Sequence, residues 1–197
     1  MHRRVRAFVV AAMIAAGCGS NDVNSMDDAR RAYLGLDGSI DRAIDLGFAG
    51  FNAAMSANIP AEMAAGAMAG TLTVTGQVDQ GVSANKQMRL NVAMAGYRDV
   101  SGFTYDTEAT ADGGVALPAL AMSLQVIPTG TLSGTLIGTF RMSGDLSGPV
   151  TLNLMFTGDL EANPDGGSGG VVRKAGTTHV TGTATSPSGT FAVDVVK

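Results

Sequence analysis

The stretch TLSGTLIGTFRMSGDL, residues 131–146, runs into SGP, residues 147–149, and then VTLNLMFT, residues 150–157. In the first part Leu132, Leu136, Phe140, Met142 and Leu146 share one parity. Thr131, Thr135, Thr139, Arg141 and Asp145 take the other. In the second part Val150, Leu152, Leu154 and Phe156 alternate with Thr151, Asn153 and Thr157. A period of two places the apolar set on one face of a strand and the hydroxyl set on the other. Ser147-Gly148-Pro149 between them is a turn signal.

The same alternation extends in both directions. Upstream it is carried by Leu72, Val74 and Val78, by Leu90, Val92 and Met94, by Phe103 and Tyr105, and by Leu120, Met122, Leu124 and Val126. Downstream it is carried by Val180 among Thr177, His179, Thr181 and Thr183, and by Phe191, Val193 and Val195. Turn clusters separate these runs: Asp79-Gln80-Gly81, Asp112-Gly113-Gly114, Pro128-Thr129-Gly130, residues 163–170 and Pro187-Ser188-Gly189. About eight strands joined by short loops predict an antiparallel meander over residues 70–197, with one apolar face and one wet face. All 18 threonines fall after residue 70, in keeping with the strand preference of β-branched residues.

Residues 25–69 read differently. Twelve alanines lie between Gly19 and Gly70, and alanine favours helix. Ser25 suits an N-cap, with Asp27 and Asp28 at the positive end of the helix dipole. Asp37-Gly38-Ser39 predicts an interruption, Ser39 capping a second helix. Ile40, Ile44, Phe48, Phe51, Met55 and Ile59 then recur at spacings of three and four, with Asp41, Arg42 and Asp45 largely off the stripe. The expected fold class is α+β, mainly β: an N-terminal amphipathic helix packed on the apolar face of a meander sheet that can be strongly curved.

The N-terminus carries an address. Arg3, Arg4 and Arg6 precede ten uncharged residues, 7–16, too few to span a bilayer and of the length of a secretory signal. The run ends in Ala15-Ala16-Gly17-Cys18, and Cys18 is the only cysteine in the chain. This resembles the lipobox of bacterial lipoproteins, with Ala15 where the family usually has Leu. The resemblance implies removal of residues 1–17, acylation of Cys18, and residues 18–24 as lipidated cysteine and short tether. It also implies a bilayer partner reached through the acyl chains. Gly19, rather than Asp, follows the cysteine, which in that family favours the outer membrane, facing the periplasm. The resemblance covers the first eighteen residues and assigns no family to the rest.

Composition narrows the function. The net charge is −4, and −7 after removal of residues 1–17, which opposes a nucleic-acid partner. A single cysteine rules out an internal disulfide and a multi-cysteine metal site. No nucleophile elbow, Walker loop or His-Glu-x-x-His occurs. His179 falls on the hydroxyl side of its strand and reads as a surface residue. Asp106 and Glu108 share a strand face as glycosidase acids can, and read as a solvated face. Asp159, Glu161, Asn163 and Asp165 run into Gly166-Gly167-Ser168-Gly169-Gly170. They form the one oxygen-rich candidate for Ca²⁺, without the spacing of an EF-hand, and read as a polar strand end and hairpin loop. No cofactor and no catalytic residue is assigned. The expectation is a non-enzymatic envelope lipoprotein acting as a binding or carrier module, its ligand not set by the sequence and an apolar ligand or an envelope protein among the partners that fit. The alternative is a structural or assembly lipoprotein that contacts protein or polysaccharide through its Thr-rich face.

One further pattern concerns glycine. Gly76, Gly96, Gly130, Gly134, Gly138, Gly144, Gly158 and Gly182 share parity with the apolar residues of their strands. Strand glycines mark close approach of another group. The expectation is that Phe48 and Phe51 of the helix fill these gaps, a ligand pocket being the other cause that fits.

Overall fold

The computed structural model describes residues 21–107 and 116–197. Cys18 with the expected signal segment, Glu108 and the Asp112-Gly113-Gly114 stretch expected as a turn lie outside them. The described chain has two helices, α1 (Met26–Leu34) and α2 (Asp37–Ala53). Ten strands follow: β1 (Asn58–Ala65), β2 (Ala69–Val78), β3 (Lys86–Arg98), β4 (Phe103–Asp106), β5 (Ala119–Gln125), β6 (Thr131–Gly144), β7 (Gly148–Ala162), β8 (Val171–Arg173), β9 (His179–Ser186) and β10 (Gly189–Val196). This is the expected α+β, mainly β class. The eight expected strands are β2 to β7, β9 and β10.

The strands pair antiparallel, each with a sequence neighbour or near-neighbour. β4 and β5 share one lane between β3 and β6. β5 pairs with residues 86–91 of β3, and β4 with Tyr97 further along. At the break, side chains replace the ladder. The Gly96 N–H donates to Asp106 Oδ1 (2.6 Å), the Met94 N–H donates to Thr107 Oγ1 (2.9 Å), and the Val92 N–H donates to the Pro118 carbonyl (2.9 Å).

Ser25 caps α1 as expected, its Oγ accepting from the Asp28 N–H. The helix break falls earlier than the sequence suggests, at Gly35-Leu36. Gly35 lies flat on Tyr105, where a Cβ would meet the phenol oxygen at 2.2 Å. Ser39 is therefore inside α2, its hydroxyl donating back to the Leu36 carbonyl at 2.6 Å.

The helical expectation for residues 25–69 holds only to Ala53. Residues 58–65 form an edge strand, and Ala69 already belongs to β2. Alanine's helix preference is worth only tenths of a kcal/mol per residue, less than the ladder that β1 forms with Thr71, Thr73 and their neighbours. Pro60 sits where the β1–β2 register shifts, between Ile59 and Glu62, so its missing N–H interrupts no ladder bond. Ile59 is buried by a different route, pressed against Gly50 of α2, while Met55 lies beyond the helix and is fully exposed. β8 escaped the sequence reading because three residues carry no period.

Ile40, Ile44 and Phe48 enter the core, as do Leu72, Val74, Leu90, Leu136, Leu154 and Val193 from the sheet, each 4% exposed or less. α1 packs on β10, whereas α2 packs on β1, β2, β3 and β8. Laid flat, eight lanes would set β1 and β10 about 34 Å apart at ~4.8 Å per spacing. β1 and β7 would then lie about 24 Å apart, yet Ala64 of β1 and Val172 of β8, which pairs with β7, line one cavity beside Asp41, Arg42 and Leu46 of α2, so the sheet curls around the helix.

Helix rings do not fill the strand glycines: at Gly76, Gly130, Gly144 and Gly182 a Cβ would meet the backbone of a neighbouring segment, and at Gly96 it would meet nothing within 4 Å. Gly134 is covered by Phe156 from the adjacent strand; a Cβ there would lie 2.5 Å from its ring and 2.5 Å from the Ala121 carbonyl. Gly96 has φ +55 and forms a bulge against β2, which turns Tyr97 rather than Gly96 inward. Phe48 packs on Gly169, and Phe51 lies under Lys86 Nζ, 4.3 Å from the ring centre. Gly134→Leu is expected to cost about 1–3 kcal/mol in denaturant unfolding through overpacking. The part of that loss due to the ring should disappear when the same change is made in a Phe156→Ala background, while the part due to the Ala121 carbonyl stays. An equal loss in both backgrounds would remove Phe156 as the cause.

Candidate functional site

Asp37, Asp41 and Asp45 recur every fourth residue and so line one side of α2. They hold the segment between β7 and β9. The Arg173 side chain is only 6% exposed. Its Nε and Nη2 donate to Asp41 Oδ1 and Oδ2 at 2.9 and 2.7 Å. Its Nη1 and Nη2 donate to Asp37 Oδ1 and Oδ2 at 3.0 and 3.2 Å, and Nη2 also reaches the Asp37 carbonyl at 2.9 Å. Tyr33 donates its hydroxyl to the same Asp37 carboxylate. Burial alone would favour loss of the Arg173 proton. The hydrogen bonds and charges of Asp41 and Asp37 outweigh it, and the guanidinium is held more firmly protonated than usual. All three guanidinium nitrogens of this arginine donate to Asp37 or Asp41, so the cluster joins α2 to β8.

One turn on, Asp45 Oδ1 accepts the Ser168 N–H at 2.5 Å, and Asn52 Nδ2 donates to the Ser168 carbonyl at 3.2 Å. The Gly-rich run expected as a hairpin loop is thus a strap across α2. Gly169 has no room for a side chain, since a Cβ would lie 2.1 Å from the Phe48 ring. Asp159 and Asp165 are exposed and Glu161 is half-buried, and Asp165 donates its own N–H to Asn163 Oδ1. Among the described residues no three acidic, histidine or cysteine side chains gather as a metal site.

The other side of α2 is tied to the β3–β4 turn. Arg42 Nε donates to Tyr97 Oη (3.1 Å) and Nη2 to Asp99 Oδ1 (3.1 Å), while Tyr97 donates to Asp99. Asp106, read from the sequence with Glu108 as a solvated pair, is spent on the Gly96 amide. His179 is exposed on the outer face, as expected, with its Nε2 2.8 Å from Asp194 Oδ1.

What remains open is the outer face of the sheet. Strand register sets Asn58, Gln77, Arg89 and Ala121 in one cross-strand row, and Thr75, Asn91, Ala119 and Ile137 in the next. Between β2, β3 and β5 these rows enclose a groove of about 450 Å³, lined by Asn58, Gln77, Arg89, Asn91, Ala119 and Ala121. Its volume lies within the ~300–1,000 Å³ of small-molecule sites. Sequence alternation marked this face as wet, but the groove depends on which residues stand opposite one another, and that is set by register.

No known family, curated protein or solved structure matches the chain. The site's chemistry therefore has to be read from its own residues.

Two measurements probe the polar clasp. Arg173→Met strands two carboxylates, Asp37 among the core residues, and should lower unfolding stability by about 3–5 kcal/mol. A loss below 1 kcal/mol would make the clasp incidental. The three tyrosines are all buried, and each phenol is raised above its ordinary value near 10. Burial is the first cause for each. The charge of Asp37 adds to it at Tyr33, and the hydrogen bond to Asp99 adds to it at Tyr97. The neutral phenol is the form that folding favours, so this stability is complete below pH 10 and is lost as pH rises from there toward the folded values. Absorbance at 295 nm should show no phenolate near pH 10 while the domain is folded, and all three should ionise together on unfolding.

Proposed function

We propose that this is a non-enzymatic lipoprotein of the cell envelope, anchored through Cys18, that binds its ligand on the outer face of its sheet. The observation that carries the reading is the contrast between the two faces. The inner face is closed by its own side chains. Leu120, Met122 and Leu132 are 1–2% exposed, and Phe156 occupies the gap at Gly134. An apolar cargo inside the curl would have to displace them, so the outer groove is the better place for a ligand.

The anchor and the groove are compatible in geometry. The Ser147 N–H donates to the Asn21 carbonyl (2.8 Å), the Ser188 hydroxyl to Asp22 (2.7 Å) and the Ser186 hydroxyl to the Val23 carbonyl (2.5 Å). These contacts fix the start of the described chain to the β6–β7 and β9–β10 turns. The β1–β2 and β3–β4 turns lie at the same end, bridged by the Ala67 N–H on Asp99. Cys18 is three residues before Asn21, a reach of at most about 11 Å. Acyl chains on Cys18 would keep this end of the strands against the bilayer, with the sheet rising from it and its outer face accessible.

Membrane fractionation tests the anchor. Wild-type protein should remain in the pellet through a high-salt wash. Cys18→Ser should move to the soluble fraction with the same melting temperature. A variant that stays in the pellet would exclude the lipoprotein reading. Mass spectrometry of an organic extract of the purified protein should show no stoichiometric lipid beyond the anchor. A second bound lipid would restore an internal carrier and remove the outer-face reading.

A further inference from the structure

The groove itself indicates what it takes. We propose that the groove between β2, β3 and β5 binds an uncharged, hydroxyl-rich chain, a neutral oligosaccharide, an assignment that rests on the outer-face reading above. The first argument is the hydrogen-bonding row. Gln77 Nε2 donates to Asn58 Oδ1 at 2.9 Å, and Gln77 Oε1 accepts from Arg89 Nε and Nη2 at 3.4 Å each. Two carboxamides and a guanidinium thus stand in line across three strands, spaced by about 4.8 Å. That step is close to the length of one sugar ring along a linear glycan. Asn91, in the next row, is exposed and keeps its carboxamide for a ligand. Amides offer donor and acceptor side by side, as a hydroxyl requires.

The second argument is charge. Arg89 is the only ionic group in the lining, and its Nη2 is already 3.5 Å from Asp79 Oδ1. The chain as a whole is acidic, at −4. Its field would slow an anionic polymer. Neither feature selects a charged ligand.

The third argument is the floor. Ala119 and Ala121 point to the same side of β5 and are both exposed. Ile137, opposite Ala119, is 47% exposed. Small methyl groups bordered by amides suit a ring that has C–H faces and hydroxyl edges. A peptide strand would look for unpaired backbone, and here Gln77, Arg89 and Ala121 are already in ladder register.

Isothermal titration of the full-length, detergent-solubilised protein tests the assignment. The probes are cellohexaose and chitohexaose, with polygalacturonate as the charged comparator. At least one neutral probe should bind with a Kd in the roughly millimolar range or tighter. Asn91→Ala and Ala121→Leu should each weaken it about tenfold, while Thr183→Ala, on the same face but outside the groove, should not. All three positions lie on the outer face of the sheet, and unchanged melting temperatures would exclude unfolding as the cause. Binding by neither neutral probe overturns the proposal, as does neutral binding that Ala121→Leu leaves intact. Tighter binding of polygalacturonate that Ala121→Leu abolishes would overturn the neutral class while keeping a ligand site on the outer face. Indifference of every bound probe to Ala121→Leu would remove that reading too.

Discussion

The three aspartates along one side of α2 set the shape of the molecule. A curled sheet has to be held at both ends of its strand order, or the apolar side of its outer lanes opens to water. α2 meets β1, β2 and β3 directly, and its Arg42 ties to the β3–β4 turn. Across the helix, Asp37 and Asp41 grip Arg173, and Asp45 grips the strap at Ser168. Direct helix packing supplies the hydrophobic gain, which is non-directional. The carboxylate row supplies direction, since a bidentate pair on a buried guanidinium tolerates little displacement. Such a pair adds modest net stability compared with an apolar contact, but its loss leaves charge in the core.

Because the clasp turns one face inward, the other is left without a cover. The inward side is packed to the point where the Phe156 ring occupies the space over Gly134. The outward side keeps rows of threonine, asparagine and glutamine in register across the sheet, with alanines where the groove runs. The Gly-rich segment belongs to the clasp rather than to this surface. Its glycines let the chain lie close over Phe48, and its backbone, not its acidic side chains, makes the contacts.

Much of the architecture could be read from the chain because burial on one side of a strand writes a period of two. Residues 131–157 state it plainly, and Leu132, Leu136, Phe140, Leu152 and Phe156 are buried as that period requires. Residues 54–69 could not be read this way, since alanine fits either element and only pairing with β2 decides between them. Gly96 misled through its bulge, which shifts parity by one and brings Tyr97 into the core. The clasp was out of reach for another reason. Asp37 and Arg173 are separated by 136 positions, and nothing local to either announces the other. The groove lies between these cases: each of its residues was assignable to the wet face, while their alignment into rows needed the register of three strands.

The lane shared by β4 and β5 has a different consequence. β3 and β6 hold their register on both sides of the break, and Asp106, Thr107 and Pro118 close the two cut ends with their own hydrogen bonds. Each half of the lane is therefore anchored by β3 and β6 independently of the other. The fold thus interrupts one lane in the middle of its sheet while the strands on either side run through it, so a fault that loosens one half need not spread to the other.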